Sequence, residues 1–355
     1  MSRTENGGEV RSYSWEDIRK HDKESDAWVV MDGEVFDVSK FLSEHPGGSS
    51  IVLPSLGTDI QEIFGSDDAH AHSPAAYDIL RRYKIGNLAG AKKSQIATNG
   101  KSVQSDASGF KTSIDFTKPI VFQVGHLGTN YNAFVHRPQV LDEPARFFES
   151  DFLEYFSRTP WYVIPALWLP VISGLVLHCL AIGMPGTHVA FVFLAGLFVW
   201  TFLEYFLHRF VFHLDEWMQG SYLTITLHFL MHGVHHLLPM DPMRLVFPPV
   251  LTCVLLCPIH ATFRLLLPYP EAVCLTAGGL LGYVGYDLTH YYLHHSGKSW
   301  LSYFVDLKSY HLAHHYKQHR LGYGITSKLW DHVFGTVLHL DRPAAAPASG
   351  KAKAG

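Results

Sequence analysis

The sequence predicts two architectures on one chain: a small α+β domain in front and an all-α integral membrane domain behind it. Three observations predict this. Hydrophobic residues reach 47% while charged ones make up only 17%, a balance too apolar for an ordinary soluble protein, in which roughly a quarter of residues are charged. Charge is dense before residue 112 and sparse from 160 to 300, so the apolar excess belongs to the back of the chain. Four apolar runs then follow residue 160, each about long enough to cross a bilayer.

The segments follow in order. Residues 12–88 mix polar and apolar positions with frequent turn signals, as a small folded domain does. Residues 89–111, "AGAKKSQIATNGKSVQSDASGFK", have few large apolar side chains and read as a flexible tether. A coil of that length spans roughly 25 Å and holds its cargo at an effective concentration on the order of millimolar. Residues 112–160 lead to the membrane, 161–341 form the transmembrane domain, and the Ala/Pro/Gly-rich tail, 342–355, is expected to be disordered.

The runs at 161–182 and 188–207 are joined by "GMPG", and those at 245–267 and 272–289 by "PYPE". Four transmembrane helices in two hairpins follow. That geometry puts the N-terminus, residues 208–244 and the tail on one side of the bilayer. Arg209, Arg244, Lys298, Lys308, Lys317, Arg320 and Lys328 lie on that side, with Arg264 the one outlier. An excess of Lys and Arg marks the cytosol, so both termini are expected there. Pro165, Pro170, Pro248 and Pro249 interrupt the runs, but membrane helices tolerate proline. Cys179, Cys253, Cys257 and Cys274 all lie in apolar segments and read as packing thiols of a reducing, cytosol-facing protein. The start, "MSRTENGGEVRSYSW", has no apolar core, so no cleaved signal is expected. No basic stripe interleaved with aromatics points to nucleic acid.

In the front domain His45 precedes Pro46-Gly47-Gly48, a turn that can present an imidazole edge-on, and His70 and His72 come 25 to 27 residues later. Two neutral imidazoles facing across an apolar slot make a six-coordinate haem site, which moves electrons and cannot bind oxygen. The stretch from "DAWVVMDGEVFDVSKFLSEHPGG" to "RYKIGNL" resembles the cytochrome b5 family. The resemblance implies haem b with His45 and His72 as axial ligands, His72 being preferred to His70 because Ser73 follows it.

Histidine is the anomaly behind the tether, where four groups recur: His208 and His213; His232, His235 and His236; His290 and His294; and His311, His314 and His315. Positions i, i+3 and i+4 share a helix face, so each H-x-x-H-H box aims three imidazoles one way. The 208/213 pair does not fit a straight helix, since five residues rotate by about 140°; one member must sit where the helix ends, bends or loosens. A structural zinc takes four ligands and usually includes Cys, which these boxes lack. Ten imidazoles suffice for two metals at about five each, and neutral ligands leave such a pair strongly cationic, suited to reduced, anionic oxygen. Glu204, one turn before His208, and Asp287, three residues before His290, are expected to accept ligand N–H groups and fix their tautomers. His228, His295, His319, His332 and His339 are read as outer or surface residues. Tyr283, Tyr286, Tyr291, Tyr292 and Tyr310 are read either as substrate-wall residues or as interfacial anchors.

The arrangement HX4H, HGXHH, HX3H, HXXHH after hairpins, with "FFESDFLEYFSRTPWYVIPALWLP" upstream, resembles the membrane fatty acid hydroxylases, and fatty acid 2-hydroxylases in particular. The resemblance implies O2-dependent 2-hydroxylation of long or very long acyl chains, free or in ceramide, for sphingolipids at the endoplasmic reticulum membrane. It implies the ten histidines as ligands of a dinuclear metal, and the fused haem domain as electron source. That domain would be fed by cytochrome b5 reductase or a similar enzyme drawing on NADH or NADPH. Iron is the expected working metal because zinc has no redox states, although zinc can occupy the same ligands in purified protein. A sterol or acyl-chain oxidase or desaturase would use the same boxes. A metal-binding scaffold would leave the electron carrier unexplained, and a passive anchor would need one span and no histidines.

Overall fold

The computed structural model describes residues 11–42, 45, 49–65, 72, 74–90, 114–139, 141, 144–216, 218, 220–296 and 301–340. All of the tether beyond Gly90, His70 and the tail lie outside the described residues. The chain divides into two compact units.

The front unit is a five-stranded sheet, β1 (Ser12–Tyr13), β2 (Asp22–Lys23), β3 (Asp26–Met31), β4 (Glu34–Asp37) and β5 (Lys84–Leu88), in the order β1-β5-β4-β3-β2. Its helices are α1 (Trp15–Ile18), α2 (Ser49–Val52), α3 (Gln61–Gly65) and α4 (Pro74–Arg82). α1 starts where the sequence says it should: Ser14 Oγ accepts from the Asp17 N–H and the Asp17 carboxylate accepts from the Ser14 N–H, a reciprocal cap. β3 and β4 pair antiparallel with Val29 opposite Phe36. Both belong to the core, with Met31, Val38, Leu42, Leu56, Ile60 and Leu80. The α+β expectation for this region holds.

The second unit opens with the short helices α5 (Val121–Val124), α6 (Tyr131–Val135) and α7 (Asp151–Phe156). The apolar faces of α5 and α6 meet those of α10 (Tyr222–His228) and α11 (Val234–Leu237) in a core that includes Ile120, Phe134, Phe147, Ile225, Phe229 and Leu237, whereas α7 leaves Phe152, Tyr155 and Phe156 exposed. The hairpins are α8 (Val163–Ala181) with α9 (Gly186–Phe206), and α12 (Pro249–Leu266) with α13 (Tyr269–His295). α14 (Ser302–Tyr316) and α15 (Leu329–Phe334) complete the unit. α8 runs through Pro170 and α12 through Pro258, whereas Pro248 and Pro249 start α12 rather than interrupt it.

Among the described residues three helices are long and apolar enough to cross a membrane: Val163–Ala181, Gly186–Phe212 and Pro249–Leu266. They turn large apolar side chains outward, Phe191, Leu194, Phe198, Val254 and Leu265 among them. α13, expected as a fourth span, is 27 residues long but carries Glu271, Asp287, His290 and His294 and is less uniformly apolar. It packs against α8 and α9 and has a long buried face. Small residues let it come close to α9: a Cβ on Gly278 would lie 2.0 Å from the Phe193 carbonyl oxygen, and one on Gly196 2.2 Å from that of Leu275. Side chains would force these backbones apart.

Candidate metal centre and its apolar slot

α9 does not stop at Phe206 but loosens into a π-turn, Leu207–Phe212. The His213 N–H then donates to the His208 carbonyl five residues back, at 3.2 Å. This is the irregularity that the 208/213 spacing demands. Wider i→i+5 bonding brings residues five apart towards one face, and such turns recur at functional sites. A second π-turn, Phe229–Gly233, carries His232 and leads into α11, which carries His235 and His236. The end of α13 supplies His290 and His294, and α14 supplies His311, His314 and His315.

The ten imidazoles converge from these elements as two groups. In the first, ring nitrogens of His235, His290, His294, His311 and His315 lie within 4.8 Å of one another. In the second, those of His208, His213, His232 and His236 do the same, and His314 joins them with its Nε2 3.1 Å from that of His213. The groups adjoin, the rings of His236 and His315 being 4.4 Å apart. All ten are buried.

The donor set fits metal ions. Nε2 of His311 lies 2.9, 2.9 and 3.1 Å from Nε2 of His290, His294 and His315, and one nitrogen with a single proton or lone pair cannot satisfy three such neighbours. Nε2 of His208 and both nitrogens of His235 are buried without a hydrogen-bond partner, a cost that a cation would remove. Burial holds His232, His235, His236, His311, His314 and His315 well below the usual imidazole range, which leaves them neutral, as metal ligands must be. On the outer side, His208 Nδ1 donates to the Tyr323 carbonyl at 2.6 Å and His314 Nδ1 to the Leu321 carbonyl at 2.7 Å. Each therefore turns a lone pair on Nε2 inward.

The expected carboxylate partners are corrected. Glu204 is buried but takes the N–H groups of Ile325 and Thr326 and the Thr326 hydroxyl. Asp287 takes the Phe247 N–H and the Tyr283 hydroxyl. Neither accepts from an imidazole in these contacts, because loops from distant sequence reach them first. Asp215, which the sequence reading missed, is the carboxylate beside the histidines. It accepts from Asn132 Nδ2 at 2.6 Å and lies 3.2 Å from His228 Nε2 and 4.0 Å from His213 Nδ1. Its position two residues after His213 was the available signal. Burial raises the Asp215 pKa, but the nearby imidazoles of His228, His136 and His319 outweigh it and hold the carboxyl below its ordinary range. His136, also missed, stacks on His319 at 3.6 Å between ring centres. Of the outer histidines, His228 is buried, bonded to the Tyr131 hydroxyl and the Phe212 carbonyl. His332 and His339 are exposed.

An apolar slot lies against the centre, lined mainly by residues of α9, α12 and α13. Its lining includes Leu203, Leu255, Ile259, Phe263, Leu280 and Tyr283, with Phe212, Phe247 and Tyr286 among the rest. The Phe212 ring stacks on His232, and the Tyr286 ring lies 5.8 Å from that of His290. The slot thus adjoins both histidine groups. Tyr283 and Tyr286 are wall residues; Tyr291, Tyr292 and Tyr310 do not line it, and the Tyr310 hydroxyl accepts the Leu338 N–H instead.

His45 and His72 are both half-buried. The His72 ring stacks on Phe64 at 3.8 Å and its Nδ1 donates to the Phe64 carbonyl at 3.2 Å. With Nδ1 donating, the ring's lone pair is on Nε2.

Comparison with known proteins agrees. Residues 14–89 match the cytochrome b5-like heme/steroid binding domain, and residues 193–336 match the fatty acid hydroxylase family. The two matches define a class, the hydroxylases with a fused cytochrome b5-like domain. The chain is 37% identical to the ceramide very long chain fatty acid hydroxylase SCS7 of Saccharomyces cerevisiae, over 93% of this chain and 95% of that one. It is 33% identical to the fatty acid 2-hydroxylase of Homo sapiens over 92% and 95%. Against the dihydroceramide fatty acyl 2-hydroxylase FAH2 of Arabidopsis thaliana it is 47% identical, over 63% of this chain and 93% of that one. A solved structure described as full length scs7p with only the hydroxylase domain visible superposes with a TM-score of 0.61 at 42% identity, covering 65% of this chain and 88% of that one. The chain belongs to the fatty acid 2-hydroxylase family.

Proposed function

We propose that the protein hydroxylates C2 of long or very long acyl chains, free or in ceramide, using oxygen. The observation that carries this is the convergence of ten buried imidazoles, in two groups of five, beside an apolar slot. The two groups would hold two metal ions, and a redox-active pair such as iron supplies the oxygen activation that an unactivated C–H requires, which zinc cannot.

The chain's own residues do the rest. Leu255, Ile259, Phe263 and Leu280 line a wall that takes an acyl tail and excludes water. Phe212 and Tyr286 form the part of the wall that touches ligand histidines, so C2 would lie at that end. Position in the slot then decides which carbon reacts. His208 and His314 are held in one tautomer by backbone carbonyls, so the ligand set is oriented before any metal binds. His45 and His72 would hold haem b in the front domain, which would receive electrons one at a time from an NADH- or NADPH-dependent reductase. α13 serves as a fourth span in this reading, with the histidine side cytosolic in the endoplasmic reticulum membrane. The basic residues beside the histidine groups, and their absence from the two short links, support that orientation.

Cells expressing the protein and fed a deuterated long-chain fatty acid should accumulate the labelled 2-hydroxy acid. No 2-hydroxy product, with haem and metal both loaded, would overturn the reading.

A further inference from the structure

We propose that residues 321–327 form a strap that fixes the tautomers of His208 and His314 in one half of the metal centre, and that Glu204 and Asp331 are positioning residues acting through it; this rests on the two-metal reading above. The two halves are built differently. In the group holding His208 and His314, carbonyls of the strap take the outer N–H of each: Tyr323 O from His208 and Leu321 O from His314. A carbonyl only accepts, so both imidazoles must present Nε2 as the donor atom. The strap reaches only these two: Nδ1 of His213 and His236 in the same group, and of His235, His294, His311 and His315 in the other, has no hydrogen-bond partner among the described residues.

The strap is itself held by two buried carboxylates that together take four consecutive backbone N–H groups. Asp331 accepts from Tyr323 N at 3.0 Å and Gly324 N at 2.8 Å, and also from the Thr336 hydroxyl at 2.8 Å. Glu204 accepts from Ile325 N at 2.9 Å, Thr326 N at 2.7 Å and the Thr326 hydroxyl at 2.6 Å. Gly324 has no room for a side chain, since a Cβ there would lie 2.0 Å from the Ser327 oxygen and 2.9 Å from Asp331 Oδ2.

One peptide joins the two ends of this chain of bonds. The Gly324 N–H that Asp331 accepts and the Tyr323 carbonyl that His208 reaches belong to the same amide. A carboxylate drawing on the N–H side makes the carbonyl a stronger acceptor. Asp331 therefore acts on His208 as a carboxylate does in a carboxylate–histidine–metal triad, with a peptide group between them. Leu321 and His314 repeat the pattern, the next N–H, Gly322, being taken by the Thr336 carbonyl at 2.8 Å.

The test is metal binding by the full-length chain in detergent, followed by atomic analysis and by chelator competition, without reference to turnover. The unmodified protein should hold two metals. Asp331→Asn should weaken one of them about 10–100-fold, the usual effect of losing such an outer partner, and leave the other unchanged. Thr326→Val, which removes only the hydroxyl bonded to Glu204, should loosen the same metal by a smaller factor with an unaltered melting temperature. It carries the test should Asp331→Asn fail to fold. Equal loosening of both metals, or of neither, overturns the strap while the two-metal reading stands. Fewer than two metals in the unmodified protein overturns that reading as well.

Discussion

The His213 N–H donates to the His208 carbonyl across five residues, and the two imidazoles consequently sit in one group with ring centres 5.1 Å apart. An α-helix would turn them roughly 140° from each other. The π-turn thus brings two awkwardly spaced imidazoles into one group.

His208→Ala and His213→Ala should each lower hydroxylation at least about 100-fold, because one member of a concerted ligand set cannot be spared. The haem spectrum should stay intact. Activity within a factor of two of the unmodified protein would remove either residue from the centre.

His45→Ala and His72→Ala should do the reverse. Each loses or shifts the haem absorption band while the membrane domain keeps its metals, measured on the same sample. An unchanged haem band in the His72 variant would hand the ligand role to His70.

Ile259→Trp and Phe263→Trp place bulk in the slot wall on α12. Both should shift the preferred acyl chain towards shorter lengths, read by competition between chain lengths in one reaction. A uniform loss across all lengths would mean that the slot does not hold the tail.

Gly278→Val should destabilise the bundle by about 1–3 kcal/mol, the usual cost of overpacking, since its Cβ would meet the Phe193 carbonyl oxygen at 2.0 Å. Thermal melting of the detergent-purified protein reads this. An unchanged transition would contradict the close crossing of α9 and α13.

Acid should destabilise the metal-free protein. Burial lowers His232, His235, His236, His311, His314 and His315, and brings His319 to about 4, whereas unfolded imidazole titrates near ~6.5. Below that value the unfolded chain binds more protons than the folded one. Stability is therefore full above about 6.5 and declines as pH falls towards 4 and below. Melting temperatures taken from pH 8 downward should fall through this window; a flat or rising series would contradict the buried, neutral cluster.

The convergence of the ten imidazoles was legible in the sequence because they come in boxes at helical spacing, and the 208/213 pair announced its own irregularity. The second π-turn at Phe229–Gly233 gave no such sign, since its residues share no pairwise chemistry. Glu204 and Asp287 were placed near the right histidines but given the wrong partners. Helix spacing says which face a carboxylate occupies; it does not say that Ile325 and Thr326, some 120 residues on, will reach Glu204 first. His136 stood alone in its segment, with no spacing to mark it. The front domain's sheet could be anticipated from the family resemblance, and its register followed only from the structure.

The central claim is that ten imidazoles hold one oxygen-activating centre aimed at C2. The most direct measurement is turnover of the iron-loaded, purified full-length protein with a long-chain acyl substrate under 18O2, with an electron donor and its reductase present. One 18O atom in a hydroxyl at C2 is the expected result. A product with its oxygen drawn from water, a hydroxyl at another carbon, or a double bond would contradict it.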